Sequence, residues 1–296
     1  MGRMKPRWFI ECAPFDDTIN NDASNIQKMI LAVRELDCEL HLEKYIPFGG
    51  SEYNFFQDEG PVVFYGSLNA AKDMLDRRLN WKPLVWCDWD ALRCSSYYAH
   101  WGKYILSPNY TILPFGDLPR MKDFLFATFG NSLFESYQRY TIDGKRVVFI
   151  RPDENNKIFT GCCVSENNFE RWYEMAGIYE PKPHTLALVS KPIKILTETR
   201  CVIADRKAIT GSQYSVERQL DIGPSVPGAL EFAEKVANST EWQPHPIYVM
   251  DIAQTELGFH LLEIGTINCA GFYKCEIRPI VEAMTRIAER EYNESC

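Results

Sequence analysis

Two carboxylates near the C-terminus carry the clearest chemical signal. They lie in IYVMDIAQTELGFHLLEIGTINCAGFY, residues 247–273. Strand alternation puts Val249, Asp251 and Ala253 on one face of a first arm and Leu261, Glu263 and Gly265 on one face of a second. A turn centred near Glu256 or Leu257 brings Asp251 opposite Leu261 or Glu263, where like charges repel. Both carboxylates are set in apolar strand sequence, in which an unpaired charge costs several kcal/mol. A hard divalent cation held by oxygen ligands is the usual compensation. Taken alone, the pair also fits two solvated carboxylates beside a turn. The apolar setting and the small-residue loop that follows, Asn268-Cys269-Ala270-Gly271, favour the metal reading.

A second set of residues is basic. Arg151, Lys157, Lys191, Arg200 and Lys207 fall with Glu198, Asp251 and Glu263 in one region of the chain. Fixed cations for phosphate oxygens and carboxylates for magnesium are the division of labour that phosphoryl transfer needs. Each basic residue by itself reads equally well as a solvated surface charge. On the strand TETRCVI, Glu198 and Arg200 are two apart and share a face, while Cys201 points the other way.

The whole chain sets the limits. With 296 residues, 46% hydrophobic and 24% charged, it has the length for two domains and an ordinary globular composition. A net charge of -8 argues against a broad nucleic-acid or membrane-binding face. Ten cysteines show no CxxC pair and no zinc spacing, so most read as small buried residues of a reducing, cytoplasmic protein. No run approaches 18 apolar residues, so no membrane span is expected. There is no GxGxxG, no P-loop and no G-x-S-x-G elbow, which disfavours a Rossmann cofactor site and an α/β-hydrolase.

The elements follow in order. RWFIECA, GPVVFYGS and KPLVWCDW read as strands, with helices at 24–40 (capped by Asp22 or Ser24) and at LNAAKDMLDRRL between them. This predicts a small open α/β sheet. The aromatic stretch 94–118 reads as an irregular connection at a domain junction, with a helix near 119–129. A new α+β region follows: the strand KRVVFIRPD ending at Arg151, the helix ENNFERWYEMAG, an extended LALVSKPIKI, a strand pair through 195–214, a helix begun by Pro227, the carboxylate hairpin and a C-terminal helix.

FIRPD with the later KIFTG, LVSKPIKI followed by TETRCVIADRKAITGSQY, and YVMDIA followed by LLEIGTINCAGFY together resemble the ATP-grasp superfamily. The similarity is greatest to its divergent clade marked by one arginine and two lysines. It covers about residues 145–275 by motif; the first 105 or so fit the preceding domain only in position and α/β character. The resemblance implies a pre-ATP-grasp α/β domain at 1–105 and an ATP-grasp domain at 106–296. Within the latter it implies a first lobe at about 120–187, a hinge at 188–194 and a second lobe at about 195–296, the two α+β lobes clasping the nucleotide.

The resemblance also implies residue roles. Arg151 and Lys157 would meet phosphates, and the backbone of Leu188, Val189 and Ser190, with Lys191, would hold the nucleotide. Glu198 would bind ribose or set the hinge, and Arg200 would face the phosphates or an acyl phosphate. Asp251 and Glu263 would hold magnesium. The family commonly has Glu-x-Asn at the last position, and this chain has Glu263-Ile264-Gly265. Either Asn268 supplies the missing ligand or one ligand is lost. The implied activity is ATP- and magnesium-dependent joining of a carboxylate to an amine through an acyl phosphate, with a protein or peptide among the acceptors. His184, His245 and His260 are the available bases, although a structural reading suits each better. Two alternatives remain: a nucleotide-binding assembly protein with little catalysis, and a phosphotransferase.

Overall fold

A computed structural model describes residues 4–12, 21–44, 60–76, 81–83, 85–131, 146–155 and 158–295. In chain order the first elements are β1 (Arg7–Cys12), α1 (Asn21–Glu35), β2 (Leu40–Lys44), β3 (Val62–Tyr65) and α2 (Leu68–Asp76). Next come α3 (Cys94–Trp101), β4 (Tyr110–Pro114), α4 (Lys122–Phe129), β5 (Val147–Pro152), β6 (Cys162–Ser165), α5 (Phe169–Gly177) and β7 (Leu186–Ser190). The chain closes with β8 (Thr197–Ala204), β9 (Lys207–Val216), β10 (Gln219–Pro224), α6 (Ala229–Ala237), β11 (Ile247–Thr255), β12 (Gly258–Thr266) and α7 (Ile277–Ser295). These form two compact units: Met1–Asp88 with Thr197–Ile252 and Glu263–Cys296, and Trp89–Leu196 with Ala253–Leu262.

The first unit holds a three-stranded parallel sheet, order β2-β1-β3, and most of an antiparallel sheet, order β10-β9-β8-β11-β12. One core joins them. The stripe Ile277, Ile280, Val281, Met284, Ile287 of α7, spaced by three and four, buries against Trp8 and Ile10 of β1, Val202 of β8 and Val249 of β11. Met29 and Val33 of α1 enter the same core. Cys201 faces away from this core, its thiol on the carbonyl of Ala229 at the start of α6.

Two expectations for this unit are corrected. KPLVWCDW is not a strand: the amide of Cys87 bonds the carbonyl of Val85, a tight local turn that a ladder cannot contain. Its apolar residues Val85, Trp86 and Cys87 are buried all the same, which is why a short apolar run imitates a strand. The third parallel strand is instead β2, whose LHLEK alternation pairs with Trp8–Cys12. The strand β10, beside β9, is a further element that the sequence reading omitted.

The second unit is built on an antiparallel sheet, order β4-β7-β5-β6. Val148 and Ile150 of β5, Val164 of β6 and Val189 of β7 form one face, covered by Phe126 of α4 and by Phe169 and Trp172 of α5. Arg151 belongs to the opposite face by alternation. The stretch 94–118 is ordered, against expectation, as α3 and β4. The cap of α3 is tertiary: Asp153, at the end of β5, accepts from the amide of Ser95 (2.7 Å) and from its hydroxyl (2.7 Å). A carboxylate there also complements the helix dipole. A cap supplied 58 residues downstream leaves no local signature. Among the described residues no helix is long and apolar enough to cross a membrane.

His245 shows what a structural histidine does in the first unit. Its Nε2 accepts from the amide of Asp88 at 2.8 Å, and burial lowers its pKa to about 4. An imidazole held neutral below its unfolded pKa of about 6.5 favours the unfolded state as pH falls. Stability is therefore expected to be complete above about pH 6.5 and to decline towards pH 4. Denaturant unfolding of wild type across this range should show that slope, and His245→Asn should flatten it.

Candidate functional site

Arg200 and Asp251 meet in the first unit as a buried ion pair. The Arg200 Nε donates to Asp251 Oδ1 at 2.9 Å and Nη2 to Oδ2 at 2.8 Å, a two-pronged geometry, while Nη1 donates to the carbonyl of Gly271 at 3.0 Å. Asp251 is 1% exposed. Their strands, β8 and β11, are neighbours, and the alternation that puts Cys201 against α6 turns Arg200 to the opposite face. Burial pushes the Asp251 carboxyl up and Arg200 draws it back down. Burial also opposes the charge on Arg200, yet the pull of Asp251 holds that guanidinium well above its ordinary range. The net effect of burial leaves the Asp251 carboxyl above its ordinary range, and the two-pronged contact has the geometry of an ion pair.

Two further carboxylates stand near it. Both Glu198 and Glu263 act electrostatically on Asp251, each raising its proton affinity. Glu198 is held from two sides, accepting from the Tyr214 hydroxyl at 2.7 Å and from the Ser215 hydroxyl at 3.1 Å. The rings of Tyr214 and Tyr273 stack at 5.0 Å, and the Arg200 guanidinium lies 5.5 Å and 5.4 Å from their centroids. Burial, then Asp251, Glu198 and Glu263, push the Tyr214 phenol well above its ordinary range, so it is a neutral donor.

Magnesium can be tested against these donors. Glu198 and Glu263 add their negative charge to that of Asp251 at this point. The described residues hold no group of three or more His, Cys, Asp or Glu side chains able to grip an ion by themselves. Magnesium asks for less: one or two carboxylates, with water and phosphate oxygens completing the shell. Asp251 Oδ1, bonded to Arg200 Nε, keeps a second lone pair. Asp251 and Glu263 therefore fit as such a two-carboxylate site.

Asn268 has another partner. It is 1% exposed, and its Nδ2 donates to the carbonyl of Phe64 at 2.6 Å while its own main-chain carbonyl accepts from the amide of Gly66 at 2.8 Å. It joins the segment after β12 to the C-terminal end of β3.

The remaining sequence-derived residues are in the second unit or beyond description. Arg151, half-buried, sits on β5 in register with Leu188 of β7, close enough to Tyr97 and Tyr98 for its charge to act on both. A Cβ on Gly161 would stand 3.0 Å from that of Arg151, so the neighbouring chain is tight against it. Leu188, Val189 and Ser190 are buried in the middle of the sheet, laddered to β4 and β5. Lys191 is exposed just past the ladder, its carbonyl accepting from the Ser107 hydroxyl at 3.4 Å. Lys157 lies outside the described residues. Tyr214, Ser215 and the carbonyl of Gly271 were not foreseen; an aromatic two residues past a strand centre carries no signal of its own.

Arg200→Met should cost about 3–5 kcal/mol of folding stability in urea unfolding, because it strands a buried Asp251 carboxylate. Adding Asp251→Leu to that variant should recover much of the loss. Asn268→Ala should cost about 1–3 kcal/mol in the same assay, since the buried carbonyl of Phe64 loses its donor.

Comparison with known proteins places this geometry. A family model described as an ATP-grasp domain, family 2 of the clade named for one arginine and two lysines, matches residues 131–283, just over half of the chain. No curated protein matches in sequence. Among solved structures, the fold is similar to that of the D-cycloserine synthetase DcsG, with 15% identity, 96% of this chain and 99% of that one covered, and a TM-score of 0.59. It is similar to D-alanine–D-alanine ligase from Bacillus anthracis complexed with ATP, at 9% identity, 98% and 100% coverage and a TM-score of 0.58. It is also similar to the ATP-grasp ligase PsnB complexed with a minimal precursor, at 10% identity, 96% and 99% coverage and a TM-score of 0.54. The likeness runs through the N-terminal parallel sheet as well as the antiparallel sheets, and the fold is the mixed α/β and α+β architecture that the motifs implied. The chain belongs to the ATP-grasp superfamily, in family 2 of its clade marked by one arginine and two lysines.

Proposed function

We propose that the protein is an ATP- and magnesium-dependent ligase that joins a carboxylate to an amine through an acyl phosphate. The observation that carries this reading is the Arg200–Asp251 pair with Glu198 and Glu263 beside it, in a chain of the ATP-grasp family. Phosphoryl transfer uses such a set, because charge moves between phosphate oxygens and must be met by fixed groups.

In the first step the donor carboxylate attacks the γ-phosphorus of ATP, the bond to the bridging oxygen breaks, and ADP leaves. In the second the amine attacks the acyl carbon, inorganic phosphate departs, and the amine loses a proton. Arg200 uses three of its five N–H groups on Asp251 and Gly271, so two remain for oxyanions. Arg151 would neutralise phosphate charge, with Lys157 and Lys191 as further cations. The main-chain groups that read adenine would be those from Lys191 onward, since the ladder already uses those of Leu188, Val189 and Ser190. Asp251 and Glu263 would hold magnesium, which when bound screens the phosphate oxygens. The acceptor class is proposed to include peptides, because a solved ligase of this fold is complexed with a precursor.

A second reading has one observation in its favour. Gly265 offers no side-chain ligand, and the Asn268 amide is engaged at both atoms, Nδ2 by the Phe64 carbonyl and Oδ1 by the Thr266 hydroxyl, which suits a nucleotide-binding assembly protein with little turnover. The two readings separate in one assay. Purified protein with ATP and magnesium, offered panels of carboxylates and amines, should yield adduct, ADP and phosphate in equal amounts, and Glu263→Gln should lower the rate by about a hundredfold. Magnesium-dependent ATP binding without any product would favour the assembly protein. A stable phosphorylated product in place of an adduct would mean a phosphotransferase.

A further inference from the structure

We propose, on the basis of the ligase reading, that Tyr214 is a positioning residue of the carboxylate centre: its hydroxyl sets Glu198 beside Asp251 so that the site accepts a divalent cation. The register of β8 on β9 supplies the first ground. Glu198 lies opposite Ser215 and Thr199 opposite Gln213, which leaves Tyr214 as the extra residue of a β-bulge. In an unbroken ladder neighbouring residues point to opposite faces. The bulge lets consecutive residues, Tyr214 and Ser215, both turn a hydroxyl to Glu198, at 2.7 Å and 3.1 Å. Bulges beside active sites commonly re-aim a side chain in this way.

The second ground is how Tyr214 is held. Its ring stacks on Tyr273, whose backbone is left-handed at φ 51°, a conformation that a bulky side chain rarely takes. That turn is pinned by Asn25, whose Nδ2 donates to the carbonyl of Tyr273 at 2.9 Å. The stack on Tyr214 and the Asn25 bond thus meet at one left-handed residue.

The third ground is electrostatic. The charge of Glu198 acts on Asp251, and a hydroxyl donor placed between two neighbouring carboxylates relieves their repulsion. The Tyr214 proton sits with Glu198, and Asp251 Oδ2 stands 3.4 Å from the same oxygen. Without the hydroxyl, Glu198 would keep only Ser215, and its charge could shift relative to Asp251. The same hydroxyl reaches Asp251, one of the two proposed metal ligands, at 3.4 Å, and partners that orient metal-binding carboxylates typically contribute tenfold to a hundredfold in metal affinity.

The test measures binding, with Mn²⁺ as the probe ion and a non-hydrolysable ATP analogue present, by the electron paramagnetic resonance of free Mn²⁺. Tyr214→Phe keeps the ring and the stack, and should raise the Kd for Mn²⁺ about tenfold. Tyr248→Phe is the matched control. It removes another buried tyrosine hydroxyl, bonded to Gln243 at 2.8 Å, and should lower the thermal midpoint comparably while leaving the Mn²⁺ Kd unchanged. If Tyr214→Phe does not fold, Glu198→Gln weakens the same bond from its other end and carries the same expectation. Mn²⁺ binding by the variant with the wild-type Kd would overturn the proposal and leave the ligase reading standing. A wild-type protein that takes up no Mn²⁺ with the analogue would overturn both.

Discussion

A guanidinium and a carboxylate taken out of water are the constraint around which the first unit is arranged. Removing either charge from solvent costs several kcal/mol, and their attraction repays this only when geometry is good and the leftover hydrogen-bonding groups are satisfied. The two-pronged Arg200–Asp251 contact supplies the geometry. The carbonyl of Gly271 and the paired rings of Tyr214 and Tyr273 supply the rest. Each support comes from a different part of the chain: β8, β9, β11 and the turn after β12. The ion pair is weak evidence for stability in its own right, and its placement is better understood as specifying where charge stands.

Charge placement also explains the surrounding scaffold. Asp251 is fixed because β11 is a central strand, between β8 and β12, with Val249 in the core shared with α7. The segment following β12 is held by Asn268 to β3 and by the Tyr65 hydroxyl to the carbonyl of Ala270 at 2.8 Å. The N-terminal parallel sheet thus buttresses the turn that carries Gly271 and Tyr273. In the second unit the same economy applies to Arg151: the apolar face of its strand is buried under α4 and α5, and Asp153 beyond it caps α3.

Much of this was legible in residue order because period and composition are local. Alternation through TETRCVI put Glu198 and Arg200 on one face, and alternation through YVMDIA and FHLLEIG isolated Asp251 and Glu263 in apolar surroundings. The last helix was legible as a helix, and its three-and-four spacing is the stripe that the core buries. The family motifs added fold and chemical class, since their sequence of basic and acidic residues is distinctive as a series. Failures came where a local pattern has two outcomes. KPLVWCDW is apolar enough for a strand and folds as a buried turn, and LHLEK, which is the strand, has a half-polar pattern that hides it.

The sequence by itself determined which side chains share a face, where charge sits in apolar surroundings, and which family the chain joins, because these depend on neighbours within a few residues. Tertiary structure alone decided who pairs with whom. Arg200 and Asp251 are 51 residues apart, Asn268 and Phe64 204 apart, and Ser95 and Asp153 58 apart. Such pairings depend on strand order and register, and one extra residue in β9 is enough to re-aim Tyr214. Arg200, expected to face the phosphates or an acyl phosphate, is bonded to Asp251. That follows from the cost of leaving a carboxylate buried without a counter-charge, which no single strand of sequence can display.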